Sequence, residues 1–569
     1  MNKKQPTARP WIVVAVLVMV AMFACACLAL LAILPGGEPD TADVVTEEQV
    51  DPRNATLTLA YSPEKAGLVQ TLVSRFNDQD LRTDDRQRMR VELIELTPEA
   101  MVEEALSGPR FQALTPDSSL WIDQMDRRWA DLQQLEADAI APSLVGESVR
   151  YAVSPVVIAT WDDVARSLGW PEQAVGWQTI QARAAADPNF RWNHPSTSQA
   201  SGLLATLAEF YAGAGKTRGL TVEDATAQST IDYVAAIERT VKFYGEGETA
   251  IMDRIVQEGR DFLDAFVVQE HLVVNYNRQN AGRDRLVAVY PVEGTLWADH
   301  PLVLLELSSL TGNQRQTFKA LRDYVQSPEA QRIVLDAGFR PADLSIPLDG
   351  SAISPANGVD SSQPQTTLQV PGPAVVDVVQ NVWYYTKRKT NVFLVVDTSG
   401  SMEGEKLEAT QAALRDFLSQ IKGDQERVGL VEFSAQVNNI EPLDELANNR
   451  QQLGQTIDAL VAGGDTALLD AVRTAYVRLQ QFDDPERINA IVAMTDGREN
   501  ASNVGLRQLQ QEIQQGNRDG VPVVIFAVAF GDDADYDVLQ IIADASGGQV
   551  RQGDLETIRQ LYRILSSYF

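Results

Sequence analysis

Three runs of almost unbroken apolar residues in the last third of the chain constrain its fold more than any other feature: Asn391-Val-Phe-Leu-Val-Val-Asp397, Ala490-Ile-Val-Ala-Met-Thr-Asp496 and Val521-Pro-Val-Val-Ile-Phe-Ala-Val-Ala-Phe-Gly531. A strand with one face in water alternates apolar and polar side chains, so runs like these belong in a parallel sheet covered by helices on both sides. Helical spacing follows the first run directly. Leu407, Thr410, Leu414, Phe417, Leu418 and Ile421 share one face, and Glu405, Lys406, Glu408 and Arg415 the other. The pattern predicts a doubly wound parallel α/β sheet, Rossmann-like, over residues 389–569.

Oxygen-bearing residues stand where such a sheet presents its ligands, at the carboxyl ends of the strands. Asp397-Thr-Ser-Gly-Ser401 closes the first run, offering Asp397, Ser399 and Ser401 around a turn at Gly400. Asp496 closes the second, and Thr466 follows the turn Ala462-Gly-Gly-Asp465 at the start of another helical pattern. Taken singly, each of these residues is an ordinary helix cap. Together they form a low-charge set of hard oxygens suited to Mg²⁺, Mn²⁺ or Ca²⁺, with coordination positions left for an outside carboxylate. Arg498 and Glu499, beside Asp496, read as surface charge.

Asp397-Thr-Ser-Gly-Ser401, Thr466 and Thr495-Asp496-Gly497 resemble the metal-ion-dependent adhesion site of von Willebrand factor A domains. The resemblance implies that Ser399, Ser401 and Thr466 contact the metal. It further implies that Asp397 and Asp496 hold it directly or through water, and that an acid group on a protein or peptide ligand completes the shell.

Residues 55–345 alternate strand and helix. Ala55-Thr-Leu-Thr-Leu-Ala-Tyr61, Arg90-Val-Glu-Leu-Ile-Glu-Leu96 and Tyr151-Ala-Val-Ser-Pro-Val-Val-Ile-Ala159 read as strands, and 66–76 and 202–213 as helices. This region resembles the two-lobed extracellular solute-binding proteins of bacterial ABC importers. The resemblance rests on Ser154-Pro-Val-Val-Ile-Ala-Thr160, Asn193-His-Pro-Ser-Thr-Ser-Gln-Ala-Ser-Gly202, Tyr290-Pro-Val-Glu-Gly-Thr295 and Gly338-Phe-Arg-Pro341. Ser196, Thr197, Ser198 and Ser201, at the predicted start of a helix, would suit a small anionic solute, and equally would cap the helix with no ligand. His194, His271 and His300 lie far apart in sequence and read as structural or surface histidines. Residues 346–388, with Ser361-Ser-Gln-Pro-Gln365 and Val370-Pro-Gly-Pro373, read as a loop-like linker, and Lys387-Arg388-Lys389 as a solvated charge run.

Trp11–Leu34 carries no charge. As a helix of about 36 Å it would cross a bilayer. Lys3, Lys4 and Arg9 precede it, and six acids follow before Arg53. The bias places residues 1–10 in the cytoplasm, 11–34 in the membrane as a signal anchor, and 35–54 outside as an acidic tether. Both cysteines, Cys25 and Cys27, fall within this span, and the seven apolar residues after Cys27 favour an anchor over a lipid-modified cysteine. A net charge of −30 with no long basic stripe disfavours nucleic acid as a partner.

No nucleophile, base and orienting group come together, so the sequence reads as a non-enzyme. The reading preferred is a single-pass, membrane-anchored, extracytoplasmic binding or adhesion protein acting through a divalent cation. The alternative is a solute receptor of an ABC-type importer with the C-terminal domain as a docking module. A partner subunit of a metal chelatase would need the cytoplasmic side, opposite to the expected topology.

Overall fold

The computed structural model describes residues 51–566 apart from 134–142, Glu246, Leu344 and Glu556. The expected cytoplasmic segment, membrane span and nearly all of the tether lie outside the described residues. Among the described residues, no helix is long and apolar enough to cross a membrane.

Residues 55–345 contain two sheets. The first has the order β2-β1-β3-β10-β4, built from β1 (Thr56–Tyr61), β2 (Arg90–Glu95), β3 (Ala113–Thr115), β4 (Val145–Arg150) and β10 (Pro301–Leu305). The second is centred on β5 (Ala152–Trp161), which carries β7 (Ala265–Gln269), β8 (Leu286–Val289), β9 (Trp297–Ala298) and β11 (Arg340–Pro341); β6 (Trp192–Asn193) pairs with β7. Helices α1 (Ala66–Asn77), α2 (Gly202–Gly213), α3 (Gln228–Glu238) and α4 (Glu248–Glu258) are among those covering them. The chain passes from the first sheet to the second between β4 and β5 and returns before β10, the topology expected of two lobes.

The C-terminal sheet has six strands in the order β14-β13-β12-β15-β16-β17: β12 (Thr390–Asp397), β13 (Arg427–Phe433), β14 (Val437–Glu445), β15 (Ile488–Thr495), β16 (Val523–Phe530) and β17 (Gln549–Gly553). All neighbours are parallel except β13 and β14. Its pleat explains the unbroken apolar runs. On β12, Val392, Leu394 and Val396 enter the core beneath α6 (Glu405–Gln420) and α10 (Ile558–Ser566). Phe393 and Val395 enter the opposite core beneath α7 (Leu468–Phe482), α8 (Leu506–Asp519) and α9 (Tyr536–Ser546). Each such side chain contributes about 1.5–3 kcal/mol by leaving water, so neither face tolerates a polar alternation.

Residues 346–388 differ from the expected loop. They contain α5 (Pro373–Thr386), opened by Pro373 at its first position. Val376, Val379 and Trp383 are buried in the same core as Leu203, Leu207 and Tyr211 of α2. Pro and Gly punctuate the start of this helix rather than abolishing it.

The Lys387-Arg388-Lys389 run is also not a solvated one. Lys387 is 3% exposed, its ammonium 2.8 Å from the fully buried Glu426. Arg388 donates to Val241 O in the N-terminal region and to Pro485 O and Glu486 O in the C-terminal one. Sequence spacing gave no sign that these cations face carbonyls and a carboxylate brought in from residues 241, 426 and 485.

Candidate metal centre and the inter-lobe cluster

Five side chains named from the sequence meet at the carboxyl edge of the C-terminal sheet. Ser399 Oγ lies 3.1 Å from Ser401 Oγ, and Ser401 donates to Asp496 Oδ1 at 2.6 Å. Thr466 reaches the same point from the third loop. A Cβ placed on Gly497 would sit 3.1 Å from Thr466 Oγ1 and 3.4 Å from Ser401 Oγ, so glycine keeps this space open. The loops are tied by backbone bonds: Gly400 N–H donates to Gly464 O, and Gly463 N–H to Thr398 O.

Asp397 is wholly buried and held from both sides, accepting from Ser399 N–H at 2.7 Å and from the Thr495 hydroxyl. Burial pushes its carboxyl above the usual range, and the bonds from Thr495 and Ser399 pull against that. Asp496 is likewise fully buried, while Ser401 is exposed, so the cluster opens to solvent on one side. The residues fit a hard divalent cation: three hydroxyls and two carboxylates, oxygen donors alone, converge from three loops.

Sequence reasoning missed Lys406. Its ammonium lies 2.5 Å from Asp496 Oδ2 and is one-third exposed, placing a positive charge where a cation would be felt. Helical periodicity assigns Lys406 to the polar face of α6 and says nothing of a carboxylate 90 residues away. Glu499 is not a free surface charge. It accepts from Leu469 N–H at the start of α7 and from the backbone of Ala501 and Ser502, locking the loop behind Asp496.

In the N-terminal region, Ser201 precedes α2 in a left-handed conformation. A side chain on Gly202 would meet Ser196 O at 1.9 Å, so only glycine fits there. The predicted anion position faces the chain's own acids. Ser201 N–H donates to Asp117 Oδ2 at 3.2 Å, and its hydroxyl to Glu248 Oε1 at 2.6 Å. Ser196 and Ser198 bond each other at 2.7 Å, and Thr197 is buried.

Around these acids runs a buried polar network between the two sheets. Lys65 donates to Pro116 O and Thr115 Oγ1 and lies 3.2 Å from His300 Nδ1; His300 Nε2 lies 2.8 Å from Gln269 Oε1. His271 Nε2 lies 3.0 Å from Glu64 O and its ring stacks on Phe339. All three histidines are fully buried, which removes the surface reading for them. Burial holds His271 down to about 3 and drives His300 lower than its ordinary value too.

The comparisons with known proteins accord with this architecture. The von Willebrand factor type A domain family matches residues 391–563, and the bacterial extracellular solute-binding protein family matches 57–340.

The chain joins a bacterial extracellular solute-binding domain to a von Willebrand factor type A domain.

Domains of the second type commonly bind a divalent metal ion. Inter-alpha-trypsin inhibitor heavy chain H4 of Sus scrofa is 28% identical over 258 residues, covering 43% of this chain and 26% of that protein. Heavy chain H2 of the same species is 25% identical over 181 residues, 30% of this chain and 19% of that protein. The chain thus spans about a quarter or less of these relatives. Among solved structures, the sulfate-binding protein SubI from Mycobacterium tuberculosis is 18% identical, covering 51% of this chain and 88% of that one, with a TM-score of 0.36. A von Willebrand factor type A protein from Catenulispora acidiphila is 22% identical over 32% of this chain and 42% of that one, with a TM-score of 0.28.

Proposed function

We propose that this chain is a membrane-anchored, extracytoplasmic binding protein. It engages an acid group on a protein or peptide partner through a divalent cation, Mg²⁺ by preference, at Asp397, Ser399, Ser401, Thr466 and Asp496. The observation that carries the reading is the convergence of these five oxygen-bearing side chains from three loops at one point of the sheet edge, which opens to solvent at Ser401. When bound, the cation supplies a positive centre with positions left for an outside carboxylate. Asp397 holds Ser399 in place through its backbone N–H, and Ser401 keeps the site open to solvent. Residues 11–34 anchor the chain, with residues 1–10 in the cytoplasm and the two domains outside. The chain carries no catalytic role.

A second reading, a solute receptor of an importer, draws support from the family match over residues 57–340. Against it, the polar groups between the lobes already have partners in the chain: Lys65 donates to Pro116 O, and Ser201 to Asp117 and Glu248.

Affinity capture with the full chain tests the first reading. Partner retention in Mg²⁺ that is released by EDTA and abolished by Asp397→Ala supports it. Retention that survives both changes removes it.

A further inference from the structure

Away from the sheet edge, the described residues contain another group of metal-ligating side chains: His194, Glu209 and Glu238, whose ligand atoms lie within 4.8 Å of one another. They come from three elements, the loop after β6, the middle of α2 and the last residue of α3. All three are fully buried. His194 Nε2 lies 3.1 Å from Glu238 Oε1 and 3.8 Å from Glu209 Oε1. Its other nitrogen, Nδ1, faces Pro195 O at 2.7 Å, a partner that fixes the proton on Nδ1 and leaves the Nε2 lone pair aimed at the carboxylates. Glu238 is oriented from behind by the Tyr244 hydroxyl at 2.6 Å and by the Trp383 indole N–H.

Glu209 makes the cluster more than a buried ion pair. Neither of its oxygens has a hydrogen-bond partner, although the residue is sealed from water. An imidazolium on His194 pairs with Glu238 and leaves Glu209, whose carboxyl burial and Glu238 drive well above its ordinary range, with no partner for either oxygen. A dipositive ion instead balances both carboxylates and gives the unpartnered Glu209 oxygens a partner.

We propose that His194 Nε2, Glu209 and Glu238 hold a structural divalent transition-metal cation of the Zn²⁺ class. Four-coordinate Zn²⁺ with bonds of about 2.0–2.1 Å separates its ligand atoms by about 3.4 Å, and the two distances from Nε2 bracket that value. Both oxygens of Glu209 bind as one chelating group with a bite shorter than that spacing, so three side chains provide four donors in a distorted shell. Closed from solvent, the site acts as a clamp and not as a catalyst. Because Glu238 also accepts from Trp383 of α5, the ion fixes the seat of the helix that leads from the solute-binding domain to the von Willebrand factor A domain.

The test uses full-length chain carrying Asp496→Ala, which removes the sheet-edge site, stripped with chelator and re-exposed to Zn²⁺. One equivalent of Zn²⁺ retained through gel filtration, a melting temperature raised by several degrees, and loss of both in the Glu209→Gln double variant support the site. No retained Zn²⁺, or equal Zn²⁺ with and without Glu209→Gln, overturns it. Should Glu209→Gln not fold, Zn-edge absorption on the Asp496→Ala protein decides: one imidazole with carboxylate oxygens in a four-coordinate shell supports the site, and a six-coordinate aquo-like shell overturns it.

Discussion

The Lys406 ammonium lies 2.5 Å from Asp496 Oδ2, and Asp496 Oδ1 accepts from Ser401 in the same cluster. A basic side chain therefore leans on one of the carboxylates expected to hold the adhesion cation. Cation binding must displace this ammonium or share the carboxylate with it, which sets the affinity of the site below what its oxygens alone would give.

Replacing Lys406 by methionine keeps the aliphatic stem and removes the charge. Mg²⁺ affinity should rise about tenfold, the equivalent of 1.4 kcal/mol, and the gain should shrink at high salt because Lys406 is partly exposed. Titration calorimetry of the two proteins at two ionic strengths measures both effects. An unchanged affinity shows that the contact is not felt by the ion.

Gly202 stands where any Cβ would meet Ser196 O at 1.9 Å. Gly202→Ala should destabilise the solute-binding domain by about 3 kcal/mol or more, because the obstacle is backbone at a buried helix start and not a movable side chain. Chemical denaturation followed by tryptophan fluorescence reads this directly, and a loss below about 1 kcal/mol argues against so tight an approach.

Glu64 and Lys65 give the inter-lobe network a signature in pH. Burial pushes Glu64 up from its ordinary 4.5 to about 7, against the pull of Lys65 and Ser62. Burial also pushes Lys65 down from 10.5 to about 8, against Glu64 and Asp117. Between pH 4.5 and 7 the folded chain keeps a proton that the unfolded chain has lost. Stability from Glu64 is therefore full below 4.5 and gone above 7. Between 8 and 10.5 the unfolded chain keeps a proton that folded Lys65 has released, so stability rises with pH across that window. The pair contributes a stability minimum between pH 7 and 8. In melting curves across this range, Glu64→Gln should remove the acid limb and move the alkaline limb to lower pH, and Lys65→Met should remove the alkaline limb and move the acid limb to higher pH, because each charge pulls against the other's burial; limbs that persist in both variants exclude the assignment.

Lys387 and Glu426 form a buried ion pair linking the end of α5 to the von Willebrand factor A domain. Lys387→Met should cost about 3–5 kcal/mol by leaving the Glu426 carboxylate uncompensated, and adding Glu426→Gln should restore part of it. A double-mutant cycle in urea checks the coupling. Additive losses would mean that the two charges do not depend on each other.

Legibility in the sequence followed periodicity and locality. The β12, β15 and β16 runs were readable because a strand covered on both faces has one composition, and the loop Asp397–Ser401 because its ligands stand two residues apart. Thr466 and Asp496 were readable because each ends or begins an element whose place in the sheet is fixed by topology. What stayed hidden depends on partners distant in the chain. Lys406 meets Asp496 across 90 residues, His194 meets Glu238 across 44, and Lys387 meets Glu426 across β12 and α6. Nothing local distinguishes these from solvated charges. Helix α5 was obscured for another reason: its opening Pro and Gly read as loop, while its apolar face, Val376, Val379 and Trp383, is short.

Manganese titration of the full chain, read by electron paramagnetic resonance, tests the central claim most directly. With the buried His194, Glu209 and Glu238 site first loaded with Zn²⁺, the account requires one Mn²⁺ bound in an oxygen-rich shell that Asp496→Ala abolishes and Glu209→Gln leaves intact, with the signal shifting when a carboxylate-bearing peptide partner is added. Mn²⁺ bound equally well by the Asp496→Ala protein, or not bound by the wild-type chain at millimolar concentration, contradicts it.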